Sequence, residues 1–244
     1  DSVYLGASFS PSLLGSYSIN ISSIADSAGA GITTTLSSIE TIDIEVSDYI
    51  YAKDLGGLTP SATILGGPGD AWHKTSRYEM YANEQLYSLK AYIGIQSVPG
   101  AKIAAIIYEV DSSSTFGPGT VIAESDPYTI SSQDRGSWVD IPFLAPVSLF
   151  NGYAYSCGLV GFQELSDSSF VGTSGESMYN GENSVFDVYG LNPNLDANVA
   201  PNVATWYYTL GTPMIRMNFD PASAVITPAG LEDLKSNISV YPNP

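Results

Sequence analysis

The sequence predicts an all-β protein: an antiparallel jelly-roll β-sandwich preceded by a partial immunoglobulin-like segment of three strands. Three observations lead there. Short runs rich in Tyr, Ile, Val and Thr alternate apolar and polar residues with a period of two, as strands with one wet face require. Turn-forming residues punctuate the runs, with 23 Gly and 15 Pro in 244 residues. Helix signals are almost absent, which excludes βαβ units and a parallel sheet.

The elements follow in chain order. In "YSINISS", Tyr17, Ile19 and Ile21 share one face, and Ser18, Asn20 and Ser22 share the other. "TIDIEV" sets Ile42, Ile44 and Val46 against Thr41, Asp43 and Glu45. The stretch "SFSPSLLGSYSINIS" carries a Pro, a Gly and then Tyr17 opening a strand. It resembles the tyrosine corner of immunoglobulin-like domains, in which the Tyr hydroxyl bonds back to the backbone before the turn. Residues 1–48 then look like the last three strands of such a domain. Three strands alone leave an apolar face, to be covered by upstream chain or by a neighbour through strand addition.

A boundary falls near "SDYIYAKDLGGLTP", and residues 49–222 form the jelly-roll block. "YSLKAYIGI" alternates Tyr87, Leu89, Ala91, Ile93 and Ile95 with Ser88, Lys90, Tyr92 and Gly94. "KIAAIIYEV" and "GYAYSCGLVGF" are apolar on both faces and read as central strands. "SWVDIPF" turns Val139, Ile141 and Phe143 inward, and "PMIRMNF" turns Ile215, Met217 and Phe219 inward with Arg216 and Asn218 out. Residues 223–244 read as a linker and a strand entering a Pro-Asn-Pro turn.

Composition narrows the function. Eight Lys plus Arg against 25 Asp plus Glu give a net charge of −17, which excludes binding to a nucleic-acid backbone or an anionic membrane surface. No apolar run is long enough to span a bilayer as a helix. Cys157 is the single cysteine, so no internal disulfide can form, and its apolar strand reads as a buried thiol site. The chain opens on Asp1 without Met or signal peptide, which reads as a mature or excised form.

The final residues, "GLEDLKSNISVYPNP", closely resemble the start of the C-terminal sorting domain of type IX secretion cargo in Bacteroidota, through Ile238, Val240, Tyr241, Pro242, Asn243 and Pro244. The resemblance implies export through the outer membrane, followed by surface attachment or release, with the rest of the sorting domain removed. The block "GSWVDIPFLAPVSLFNGYAYSCGLVGF" resembles jelly-roll domains common in such cargo, some of which bind carbohydrate. Export by that route also implies O-glycosylation at Asp-(Ser/Thr)-small sites. Ser27 in Asp26-Ser27-Ala28 and Ser2 in Asp1-Ser2-Val3 fit that pattern.

Catalytic residues are not expected. His73 is the only histidine, so a His-rich zinc site cannot form, and no GxSxG elbow accompanies it. Ligand-binding candidates are the aromatics at strand and loop ends: Trp72, Trp206 and Tyr179. Trp138 reads as a buried structural residue. For a structural Ca²⁺, the cofactor this acidic chain best suits, the candidate ligands are Asp111, Asp126 and Asp134, although no dense Asp-x-Asp-x-Asp-Gly loop is present. The expected role is a secreted or cell-surface, non-catalytic module with a structural or adhesive task. Its partners would be other surface proteins, neighbouring modules or glycans. A carbohydrate-binding module and an extracellular hydrolase are the alternatives.

Overall fold

The computed structural model describes residues 13–25, 33–54, 63–68, 70–110, 118–176, 183–187, 205–209 and 211–225. The chain divides into two compact units, Asp1–Tyr51 and Ala52–Pro244. Both are built from antiparallel strands. Among the described residues no helix is long and apolar enough to cross a membrane.

In the first unit, β1 (Gly15–Ala25) pairs with β2 (Thr33–Val46), and a bulge interrupts them between Ile21 and Ser23. The register sets Tyr17 opposite Ile44 and Ile19 opposite Ile42. Where three strands were expected, the described residues give a two-stranded ribbon, because "TTTLSSIETIDIEV" runs as one strand. The Tyr17 hydroxyl donates to the Leu13 carbonyl at 2.7 Å, the bond a tyrosine corner requires. The Ser47 hydroxyl accepts the Ile50 N–H at 3.0 Å and turns the chain into β3 (Ile50–Tyr51).

The second unit is one antiparallel sheet curled so that two runs of strands face each other. The first run contains β5 (Asp70–Glu79), β7 (Lys102–Glu109), β8 (Val121–Glu124), β11 (Ala154–Gly161), β14 (Asn183–Asp187) and β15 (Thr205–Tyr208), in the order β8-β7-β11-β5-β14-β15. The two-residue β9 (Tyr128–Thr129) joins β7 near its start. In the second run, β6 (Glu84–Ile93) lies between β10 (Ser137–Leu149) and β17 (Ile215–Asn218). There β12 (Ser169–Val171) connects the end of β6 to β4 (Thr63–Gly67). The β4–β5 hairpin carries the chain from one run to the other. A separate ribbon pairs β13 (Thr173–Glu176) with β16 (Gly211–Pro213), and a 3₁₀ turn at Pro221–Ser223 ends the described chain.

The core lies between the runs. Leu89, Ala91 and Ile93 of β6 meet Val139, Ile141 and Phe143 of β10 and Ile215 and Met217 of β17, all buried as the alternation predicts. The Tyr78 hydroxyl of β5 donates to the Ile215 carbonyl of β17 at 2.5 Å, a direct tie between facing runs. The two strands read as apolar on both faces are central: Ile103–Tyr108 of β7 and Tyr155–Val160 of β11 are buried throughout. Their outer face carries a second small core of Ala104, Ile106, Tyr108 and Val160, roofed by Phe162 and Trp206.

Two local departures have physical causes. In β6 the inward set begins at Leu86 rather than Tyr87, and Ser88 is buried with its hydroxyl 2.9 Å from that of Ser223. Ladder pairing jumps here from Ser88–Pro142 to Leu86–Val147, and this bulge shifts the phase of the strand's first half. Ile95, expected inward, lies beyond the end of β6 and is exposed. Asn218, expected outward, is buried because its amide donates to the Asp140 carboxylate at 3.0 Å.

Gly161 marks the closest crossing of the runs. A Cβ there would lie 2.7 Å from the Gly66 nitrogen and closer still to the Leu65 carbonyl, both of them backbone. Gly161→Ala is therefore expected to destabilise the unit by about 2 kcal/mol through overpacking. Urea denaturation measures this, and an unchanged midpoint would show that the strands separate freely.

Candidate functional site

The site begins with a strand that cannot stay paired. In "IPFLAPVSLFNGY", Pro142 and Pro146 lack N–H groups, and residues 143–146 leave the β6 ladder. Leu144 stands 59% exposed as a result. The chain then reverses at Asn151-Gly152, with Gly152 at φ +81°, a left-handed position suited to glycine.

This reversal is held on every side. Tyr153 N–H donates to the Phe150 carbonyl at 3.2 Å, and Gly152 N–H to the Met80 carbonyl at 2.8 Å. Met80 N–H returns a bond to the Tyr153 carbonyl at 2.9 Å. Asn151 N–H donates to Asn83 Oδ1 at 2.8 Å, and Phe150 N–H donates to the Tyr155 hydroxyl at 3.1 Å. With the backbone fixed, the Phe150 and Tyr153 rings project outward, 54% and 58% exposed, their centroids 6.4 Å apart and inclined at 65°. Tyr81, on the adjoining turn, is also exposed.

Beside these rings runs an open groove of about 680 Å³ between β10 and the edge strand β8. Ile122 and Leu144 form apolar walls, while buried Phe143 and Tyr155 lie at its base. Glu109, ending β7, and Glu124, ending β8, are its acidic lining residues; Glu124 pairs with Ile106 and so lies on the Ile106–Tyr108 face of the sheet, opposite to Glu109. The Tyr155 hydroxyl accepts a bond from Phe150 N–H, and its own proton has no acceptor among the described residues. The groove thus offers stacking faces, an acceptor in Glu109 and a donor in Tyr155.

The residues singled out from the sequence lie elsewhere. Trp72, expected as an exposed stacking ring, is only 4% exposed, and its Nε1 has no hydrogen-bond partner among the described residues. Trp206 is half-buried, edge-on to Tyr108 at 5.4 Å and to His73 at 6.5 Å, so it serves as a roof to the outer core. Trp138 is half-buried: Arg216 stacks 4.2 Å from its ring centroid and Tyr92 meets it edge-on at 5.7 Å. Arg216 in turn holds Asp54 with two bonds of 2.8 Å. Tyr179, Asp111, Ser2 and Ser27 fall outside the described residues.

Asp126 is exposed, whereas Asp134 accepts the Ser131 N–H at 2.6 Å and shapes its own turn. Partial burial raises the Asp134 pKa, but bonds from Ser131 and the Tyr128 hydroxyl outweigh this and hold it below the usual carboxylate value. Among the described residues no three His, Cys, Asp or Glu side chains cluster as metal ligands. His73 Nδ1 bonds to the Tyr108 hydroxyl, and burial lowers the imidazole pKa to about 4. Burial raises the Tyr108 pKa, and the Glu124 charge adds to the rise, so the phenol stays protonated. Cys157 is fully buried, and desolvation pushes its thiol pKa up, which leaves it inert as a nucleophile.

Neither a protein-family model nor a curated protein matches the chain.

Proposed function

We propose that the protein is a non-catalytic adhesive β-sandwich module of a secreted or surface-displayed protein, and that it holds carbohydrate in the groove between β8 and β10. The observation that carries this reading is the pair of exposed rings, Phe150 and Tyr153, on a turn fixed by hydrogen bonds beside that groove. The C–H faces of a sugar ring are apolar and stack on aromatic rings, while its hydroxyls need both acceptors and donors. Glu109 and Tyr155 supply those in one place. The acidic, low-lysine composition and the resemblance of "SNISVYPNP" to a sorting-domain motif support a surface location, and neighbouring surface modules would be its further partners.

Affinity electrophoresis against a panel of soluble polysaccharides tests the reading, with the Phe150→Ala/Tyr153→Ala variant in parallel. Each ring contributes about 1 kcal/mol to stacking, so the double variant should bind on the order of tenfold more weakly. Its thermal midpoint should stay near that of the parent, because the rings bury little surface in the fold. Failure to bind any polysaccharide, or equal binding by the double variant, would remove the reading.

A further inference from the structure

The base of the groove narrows the ligand further. Tyr155 lies directly opposite Glu109 in the β7–β11 ladder, so the two side chains share one face of the sheet, the face of Ile107 and Cys157. Tyr155 is only 5% exposed, and its oxygen is held by the Phe150 N–H at 3.1 Å. A phenol that accepts one bond still has a proton to donate, and among the described residues that proton has no acceptor. A donor buried without an acceptor costs free energy, which an accepting ligand atom in the groove would relieve. Glu109 is exposed beside it and, as a carboxylate, only accepts. Among the described residues the lining holds no Lys, Arg or His.

A donor and an acceptor that are neighbours across a ladder call for a ligand group that is both. A hydroxyl is both; an ammonium only donates, and a sulfate or carboxylate only accepts. From this arrangement we infer that Tyr155 and Glu109 read sugar hydroxyls, and that the groove selects neutral sugars over sulfated sugars and uronic acids. The inference rests on the carbohydrate reading above and specifies its ligand class. Hydroxyls of the sugar donate to Glu109 and accept from Tyr155, while the rings of Phe150 and Tyr153 take the C–H faces. The bond from Phe150 N–H ties the phenol to the turn that carries the rings, so polar contact and stacking faces are fixed relative to each other. A sulfate ester removes the hydroxyl proton and sets like charge against Glu109.

Affinity electrophoresis with dextran, galactomannan and hydroxyethylcellulose, each beside its heavily sulfated derivative, tests this. About 0.5 M salt screens the chain's overall charge, so any remaining rejection belongs to the groove. At least one neutral polymer should retard the protein, and its sulfated form should not. Tyr155→Phe should weaken the neutral interaction about fivefold, the worth of one hydrogen bond. That variant also takes the acceptor from Phe150 N–H, so a second background separates contact with the sugar from support of the turn. In Glu109→Ala the same Tyr155→Phe change should cost less than about twofold, because the hydroxyls it served are no longer anchored on their other side. Support of the turn alone would cost the same in both backgrounds. Equal retardation by neutral and sulfated polymers, unchanged affinity in Tyr155→Phe, or an equal loss in both backgrounds overturns the hydroxyl inference and leaves carbohydrate binding standing. Retardation by none of the polymers counts against both.

Discussion

Asp54→Ala should destabilise the second unit by about 3–5 kcal/mol, the expected loss when one partner of a buried ion pair is removed. The Asp54 side chain is fully buried and that of Arg216 is 15% exposed. Two bonds of 2.8 Å join the carboxylate to the guanidinium in the fork geometry that suits both groups. Trp138 covers the guanidinium with its ring, 4.2 Å from the centroid. Deleting the carboxylate removes two bonds from a guanidinium that water solvates poorly. Urea denaturation should show the loss as a lower midpoint with an unchanged slope. Asp54→Asn, which keeps an acceptor, should lose less. Asp54→Ala/Arg216→Met should recover part of the loss, because no charge is then stranded. A loss below about 1 kcal/mol in Asp54→Ala would mean that water reaches the pair and that it contributes as a surface bridge does.

His73 makes the protein acid-sensitive. The imidazole is half-buried and hydrogen-bonded to the Tyr108 hydroxyl, and burial lowers its pKa from 6.5 to about 4. Between those two values the unfolded chain binds a proton that the folded chain refuses, so stability falls as pH drops through the window. Above pH 6.5 the group is neutral in both states and the full stability is present. By pH 4 the penalty reaches at most about 3 kcal/mol and then levels off as the folded state also takes up the proton. Carboxylates contribute their own acid dependence, so the informative quantity is a difference. Unfolding free energies measured across this range should slope less steeply in His73→Phe than in the parent. Parallel curves would mean that the folded imidazole titrates as it does in water.

The architecture was largely legible in the residues, and the candidate site was not. β10 and β17 declared themselves because one face of each is wet, and alternation records that directly. β7 and β11 declared themselves as central because both faces are apolar, although the sequence does not say what covers the outer one. That cover explains the misplaced tryptophans. Trp206 belongs to the roof over Tyr108 and Val160, and such a roof is assembled across strands distant in the chain. The front of β6 misled because a bulge changes the phase of a strand without changing its composition. The groove draws on residues 109, 122–124 and 143–155, and no pattern within any one of these segments foretells their meeting. The single local hint was the pair of prolines followed by Phe-Asn-Gly-Tyr: a strand forced off its ladder, then a turn flanked by two large rings.

The hydrogen bonds around the Phe150–Tyr153 turn are already made before any ligand arrives. In the proposed reading, carbohydrate capture would meet a turn that is already ordered, so little entropy would be surrendered there. Association should follow a single exponential phase at a rate set by collision and long-range steering, with bound lifetime alone separating strong ligands from weak ones.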